Sequence, residues 1–120
     1  MIRLLDTNAV VYLQKGLLAE VLPPGEYAIS VITEMELLSY RGLIDEQKIW
    51  LEEFISNLQV YDIDKDIKQC AIELRRDYQM RLPDAIIAAT AISRKALLLT
   101  NDADFSQVPA LHYQQLLLNP

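Results

Sequence analysis

Pro83-Asp-Ala-Ile-Ile-Ala-Ala-Thr-Ala-Ile-Ser-Arg-Lys-Ala-Leu-Leu-Leu-Thr100 carries the strongest structural signal in this chain. Pro83 stands where a helix begins, because a helix start tolerates a missing N–H and a fixed φ. Ala85 to Ile92 is apolar apart from Thr90. A helix apolar nearly all round is buried on more than one side, and its four alanines permit close packing. Ala96-Leu-Leu-Leu-Thr100 then reads as a strand. The pair is a buried helix delivering a buried strand.

Moving outward, the same alternation recurs. Residues 2–5 (Ile-Arg-Leu-Leu) start a strand that stops at Asp6. Asp6-Thr7-Asn8 supplies capping side chains for a helix over roughly 8–15, with Gly16 as its stop. Pro23-Pro24-Gly25 is a break, Tyr27–Ser30 a second strand, and a helix runs from about Thr33 to Tyr40 before Gly42. Asp45 caps the next helix, with Leu51, Phe54, Ile55 and Leu58 at helical spacing. Gln59–Ile63 alternates and predicts a third strand. Asp64 caps a long amphipathic helix with Ile67, Cys70, Ala71, Leu74 and Tyr78 on one face. Its other face, with Lys68, Arg75, Arg76 and Asp77, is a solvated surface. Asn101–Ser106 is a turn or short helix, and 111–117 a fifth strand or a final helix.

Strands alternating with helices imply an α/β fold: a parallel sheet of four or five strands covered on both faces, the three-layer α/β/α sandwich. At 120 residues the chain makes a single domain over 1–120. With 52% apolar residues it has a sizeable core, and no repeat, linker or low-complexity segment interrupts it. No apolar run is long enough to cross a membrane, and no signal peptide opens the chain. The lone cysteine, Cys70, cannot make an internal disulfide and suits a reducing cytoplasm.

In open α/β sheets, ligands sit beyond the carboxyl ends of the strands. Asp6 follows the first strand, and Ser30 and then Glu34 or Glu36 follow the second. Asp84 opens the buried helix, while Thr100, Asp102 and Asp104 follow the fourth strand. Each has an ordinary explanation: Asp6 as a cap, Asp84 on a helix dipole, Asp102 in a turn, Glu36 as an exposed helix residue. Together they are harder to dismiss. Gathered carboxylates repel and raise each other's pKa, so a fold that collects them normally supplies a cation. Oxygen-only donors select hard ions such as Mg²⁺ or Mn²⁺. One Cys and one His in separate segments offer no zinc set, and no nucleophile–base pairing or Gly-rich phosphate loop is present.

Leu-Leu-Asp6-Thr7-Asn8, Ile-Ser-Val-Ile-Thr-Glu-Met-Glu36-Leu, Leu-Pro-Asp84-Ala-Ile-Ile-Ala-Ala-Thr-Ala and Leu-Thr100-Asn-Asp102-Ala-Asp104-Phe occur in that order. The sequence resembles, from Ile2 to about Phe105, a PIN domain of the VapC toxin type found in toxin–antitoxin pairs. The resemblance implies strand order 3-2-1-4-5 and a metal-dependent endoribonuclease using Mg²⁺ or Mn²⁺. By it Asp6, Glu36, Asp84 and Asp102 form the catalytic and metal-binding quartet, with Asp104 a fifth acid. Glu36 is preferred over Glu34 because Leu37 follows it. Thr7, Asn8 and Thr100 have supporting roles. The implied partners are an RNA substrate, a cognate antitoxin and a second copy in a homodimer.

The net charge of −6 argues against tight non-specific binding to a phosphate backbone. Without the five acids of the quartet and Asp104, the rest of the chain stands at −1. Arg75, Arg76, Arg81, Arg94 and Lys95 are then candidates for phosphate contacts. Two other readings compete. A receiver-like phosphoacceptor module shares the length, acidity and alternation, but it wants adjacent acids after the first strand and a late lysine. A PIN-like fold could also be kept only as a protein-binding scaffold.

Overall fold

The computed structural model describes residues 1–120. Five strands, β1 (Arg3–Leu5), β2 (Tyr27–Ser30), β3 (Gln59–Tyr61), β4 (Leu97–Thr100) and β5 (Tyr113–Gln115), form one parallel sheet in the order β3-β2-β1-β4-β5. Five helices cover it: α1 (Thr7–Gln14), α2 (Val31–Leu38), α3 (Asp45–Ser56), α4 (Lys65–Tyr78) and α5 (Leu82–Ser93). The architecture is the expected three-layer sandwich, and of the two readings of residues 111–117 the strand holds, shortened to Tyr113–Gln115. The order excludes the receiver topology, in which the first strand lies between the second and third.

Register explains both cores. Leu4 lies beside Ala28 on one side and Leu98 on the other, and Leu5 lies beside Leu99. Successive side chains of a strand point to opposite faces. Leu4, Ala28 and Leu98 therefore pack with Ile67, Ala71 and Leu74 of α4 and the alanine-rich face of α5. Leu5, Ile29 and Leu99 pack with Ala9, Val10, Leu37, Leu51 and Ile55 of α1, α2 and α3. In α5 every residue from Ala85 to Ala91 is buried, so the helix is enclosed as its composition demands.

Chain ends of the elements show where local chemistry differs from expectation. Ser30 caps α2 by accepting from the Ile32 N–H at 3.2 Å, so α2 begins at Val31, two residues before the spacing predicts. Asp45 is inside α3 rather than its cap. Ile44 holds that position, and its N–H donates to Gln47 Oε1. β3 stops at Tyr61, not Ile63, because its partner β2 ends at Ser30, opposite Tyr61. Gly16, at φ 69°, ends α1 with paired bonds from Gly16 N to Leu13 O and from Leu17 N to Tyr12 O. That is a Schellman stop, where glycine carries no Cβ penalty.

The alanines of α5 leave no spare volume beneath the sheet, and Ala88 is completely buried. Ala88→Leu is expected to destabilise the fold by about 1–3 kcal/mol through overpacking. Urea unfolding followed by circular dichroism reads this directly.

Candidate functional site

Asp6 leaves the C-terminal end of β1, in the middle of the sheet, and caps α1: its Oδ1 accepts from the Ala9 N–H at 2.8 Å. Its Oδ2 accepts from the Thr100 hydroxyl at the end of β4. Thr100 Oγ1 in turn accepts from the Asp102 N–H at 3.0 Å, and Asp102 Oδ1 accepts from the Asp104 N–H at 2.9 Å. This chain of bonds ties the ends of two adjacent strands together. Both Asp6 and Thr100 are buried.

On the other flank, Thr7 Oγ1 donates to Glu36 Oε1 at 2.7 Å, and its hydroxyl oxygen lies 3.1 Å from that of Thr33. The first turn of α1 therefore fixes a carboxylate on the second turn of α2. Asp84 sits in the first turn of α5, where its Oδ2 accepts from Arg81 Nε at 3.2 Å.

These residues meet in one small cleft of about 70 Å³, lined by Asp6, Thr7, Asn8, Glu36, Asp84 and Asp102 together with Arg81 and Ile87. One water needs only about 10–15 Å³ by this measure, so the cleft accepts an ion with some of its water. Larger hollows lie between α1, α2 and α3 (about 430 Å³) and at the opposite sheet edge (about 510 Å³), but each has a single carboxylate in its lining. Glu36 faces the cleft and Glu34 does not. Asp104 is outside the lining, exposed, with its backbone serving Asp102.

The donor set fits a hard divalent cation in kind: oxygen only, four carboxylates, one compensating guanidinium. No three acidic, His or Cys side chains are gathered tightly enough to form a finished coordination shell. The site is thus an open acidic cradle. Burial pushes the Asp6 carboxyl above its ordinary value of 3.8, opposed by the bonds from Thr100 and Ala9 and reinforced by the negative charges of Asp102 and Asp84. A cation in the cleft would relieve that cost.

The PIN domain family profile matches residues 3–111. The chain belongs to the PIN domain family. Its solved structural relatives include VapBC2 from Rickettsia felis bound to a promoter DNA fragment, 26% identical with TM-score 0.81 over 97% of this chain and 99% of that one. A toxin–antitoxin complex from Klebsiella pneumoniae is 31% identical with TM-score 0.73, covering 91% and 94%. VapBC from Salmonella typhimurium bound to DNA is 25% identical with TM-score 0.80, covering 96% and 98%. A comparison with curated protein sequences finds no significant match. PIN membership places the chain in a nuclease-type family and removes the receiver-like reading.

Of the cations offered by the sequence, only Arg81 reaches this PIN cleft. Arg76 pairs with its neighbour Asp77, and Arg94 pairs with Asp64 at 2.9 Å while lying over the Tyr61 ring. Arg75 and Lys95 are exposed outside the lining. The sequence reading missed Thr33, a fully buried hydroxyl beside Thr7. Its signal was position: three residues before Glu36, hence on the same helical face.

The buried network generates two stability expectations. Thr100→Val removes the donor to Asp6 and the acceptor for the Asp102 N–H, at a cost of about 1–3 kcal/mol. Asp6→Asn acts the other way in metal-free protein. With a folded pKa above the unfolded one, ionising Asp6 withdraws stability as pH rises from 3.8 through the raised value. The asparagine variant should therefore melt above wild type at neutral pH, with the gap closing as pH falls toward 3.8. Thermal melts in EDTA across that range test both.

Proposed function

We propose that this PIN domain hydrolyses RNA phosphodiester bonds with Mg²⁺ or Mn²⁺ and is the toxin of a toxin–antitoxin pair. The observation that carries the reading is the meeting of Asp6, Glu36, Asp84 and Asp102, from four separate segments, in one cleft at the C-terminal edge of the sheet. Asp6, Glu36, Asp84 and Asp102 would hold the cation. When bound, it supplies charge neutralisation at the phosphate and acidifies water for in-line attack.

The protein's own groups set the geometry. Thr100 and the Ala9 N–H hold the Asp6 carboxylate in one orientation, each bonding a different oxygen. Thr7 holds Glu36 Oε1 and so fixes this carboxylate in the lining of the cleft. Asp84, half-buried beside Ile87, is accessible from the mouth and is the natural acceptor of a proton from attacking water. Asn8, exposed at the rim, offers an amide to the ribose–phosphate chain. Asp104 supports the turn that presents Asp102.

An antitoxin partner is supported by the relatives, which are toxin–antitoxin complexes. A homodimer is supported by the exposed apolar side chains Met35, Tyr40, Ile44 and Ile49, and an elution volume of a monomer at high concentration would remove that part alone. No helix is long and apolar enough to cross a membrane, in keeping with a cytoplasmic site of action.

Cleavage of a tRNA or hairpin RNA with Mg²⁺ or Mn²⁺ is expected to fall on the order of 100-fold or more in Asp6→Asn and in Asp84→Asn, with the fold retained. Asp104→Asn should cost far less. EDTA should abolish activity in every form. Cleavage that survives EDTA, or is undiminished in Asp84→Asn, refutes the mechanism, and no cleavage by wild type with any metal favours the scaffold reading.

A further inference from the structure

Arg81 is the one cation in the lining of the acidic cleft, and the helix it opens does not explain it. It occupies the N-cap of α5 with no side-chain capping bond. Residues preferred there accept a hydrogen bond, which arginine cannot, and the helix dipole disfavours a positive charge at that end. The acids are what hold it: Nε donates to Asp84 Oδ2, and the charges of Glu36 and Asp102 add their attraction. Yet the Arg81 side chain is 76% exposed against 18% for Asp84. It hangs over the mouth of the cleft with its terminal N–H groups free.

We propose that Arg81 exchanges partners, holding Asp84 while the cleft lacks metal and turning to a non-bridging oxygen of the RNA phosphate once a divalent cation takes the Asp84 carboxylate. The inference rests on the nuclease reading above. An exposed ion pair contributes little, so releasing it is easy. The guanidinium fork matches a phosphate bidentately, which makes the second partner the better one when it is present. In the metal-free state the same group damps repulsion among the carboxylates. Arg81 is thus a positioning residue for substrate and a weak internal competitor of the metal.

Two measurements test this, with circular dichroism melts confirming that the exposed substitutions keep the fold. Calorimetric titration with Mn²⁺, without RNA, should show Arg81→Gln binding about three- to tenfold tighter than wild type, because a competitor and a like charge are gone. Arg81→Lys, which keeps the charge, should stay near wild type. The second measurement uses fluorescence anisotropy of a labelled RNA hairpin in EDTA. Asp84→Asn weakens the hold on Arg81 without metal, so adding Arg81→Gln should weaken hairpin binding at least about fivefold more in the Asp84→Asn background than in wild type. Unchanged or weaker Mn²⁺ binding by Arg81→Gln, or equal RNA losses in the two backgrounds, overturns the exchange. If neither wild type nor Arg81→Gln takes up Mn²⁺, the metal-dependent reading has failed and the exchange falls with it, whereas Mn²⁺ uptake that Arg81→Gln leaves unchanged overturns the exchange alone.

Discussion

The bond between Thr100 and Asp6, across 94 positions of sequence, is the constraint on which the rest of the site depends. It joins the C-terminal ends of β1 and β4, neighbours in the sheet, at the point where α1 departs. Without it the Asp6 carboxylate would be a buried charge with one hydrogen bond, and the Asp102 N–H would lose its acceptor. With it, the carboxyl group is held in the lining of the cleft in a single orientation. The Ala9 N–H holds the other oxygen, so the position is set by backbone geometry on one side and a strand-end hydroxyl on the other.

That arrangement concentrates negative charge where the fold gains nothing from it. Asp6 is pushed toward its neutral form by burial and by its acidic neighbours. Well-formed protein interiors pair buried charges, and here the only cation at hand sits exposed on the rim. The cost is accepted locally and offset by two apolar cores, one on each face of the sheet. The site is therefore a place where stability is given up, and its oxygen donors are of the kind a hard divalent cation takes.

Most of this was readable in the chain because the signals are local. Pro83 followed by a helix apolar but for Thr90, then Leu97-Leu-Leu, reads as a buried helix and strand, and Gly16 marks the end of α1 with the φ that favours glycine. The strand ends carrying Asp6 and Thr100 follow from the same pattern. What escaped depends on pairing between distant segments. The length of β3 is decided by where β2 stops, which its own alternation does not record. Asp45 looks like a cap, yet Ile44 takes that place because the backbone turns one residue earlier and Gln47 answers its N–H. Thr33 is an ordinary helix hydroxyl until α1 is laid beside it. Arg81 was one of five candidate cations, and only packing separates it from Arg94, which Asp64 claims.

The charge of the whole molecule bears on how a substrate could be recognised. At a net −6, with no basic tract and three of its six arginines (Arg76, Arg81 and Arg94) paired with acidic neighbours, the surface repels a polyanion. On the proposed function, a divalent cation in the cleft would offset most of the carboxylate charge where a phosphate is to sit. Metal and RNA would then bind with positive coupling, and linkage requires that each strengthen the other by the same factor. Such a protein does not need a strongly basic groove to find RNA. On that proposal an acidic groove that holds a cation would serve instead, which reconciles a nuclease-type fold with an acidic chain.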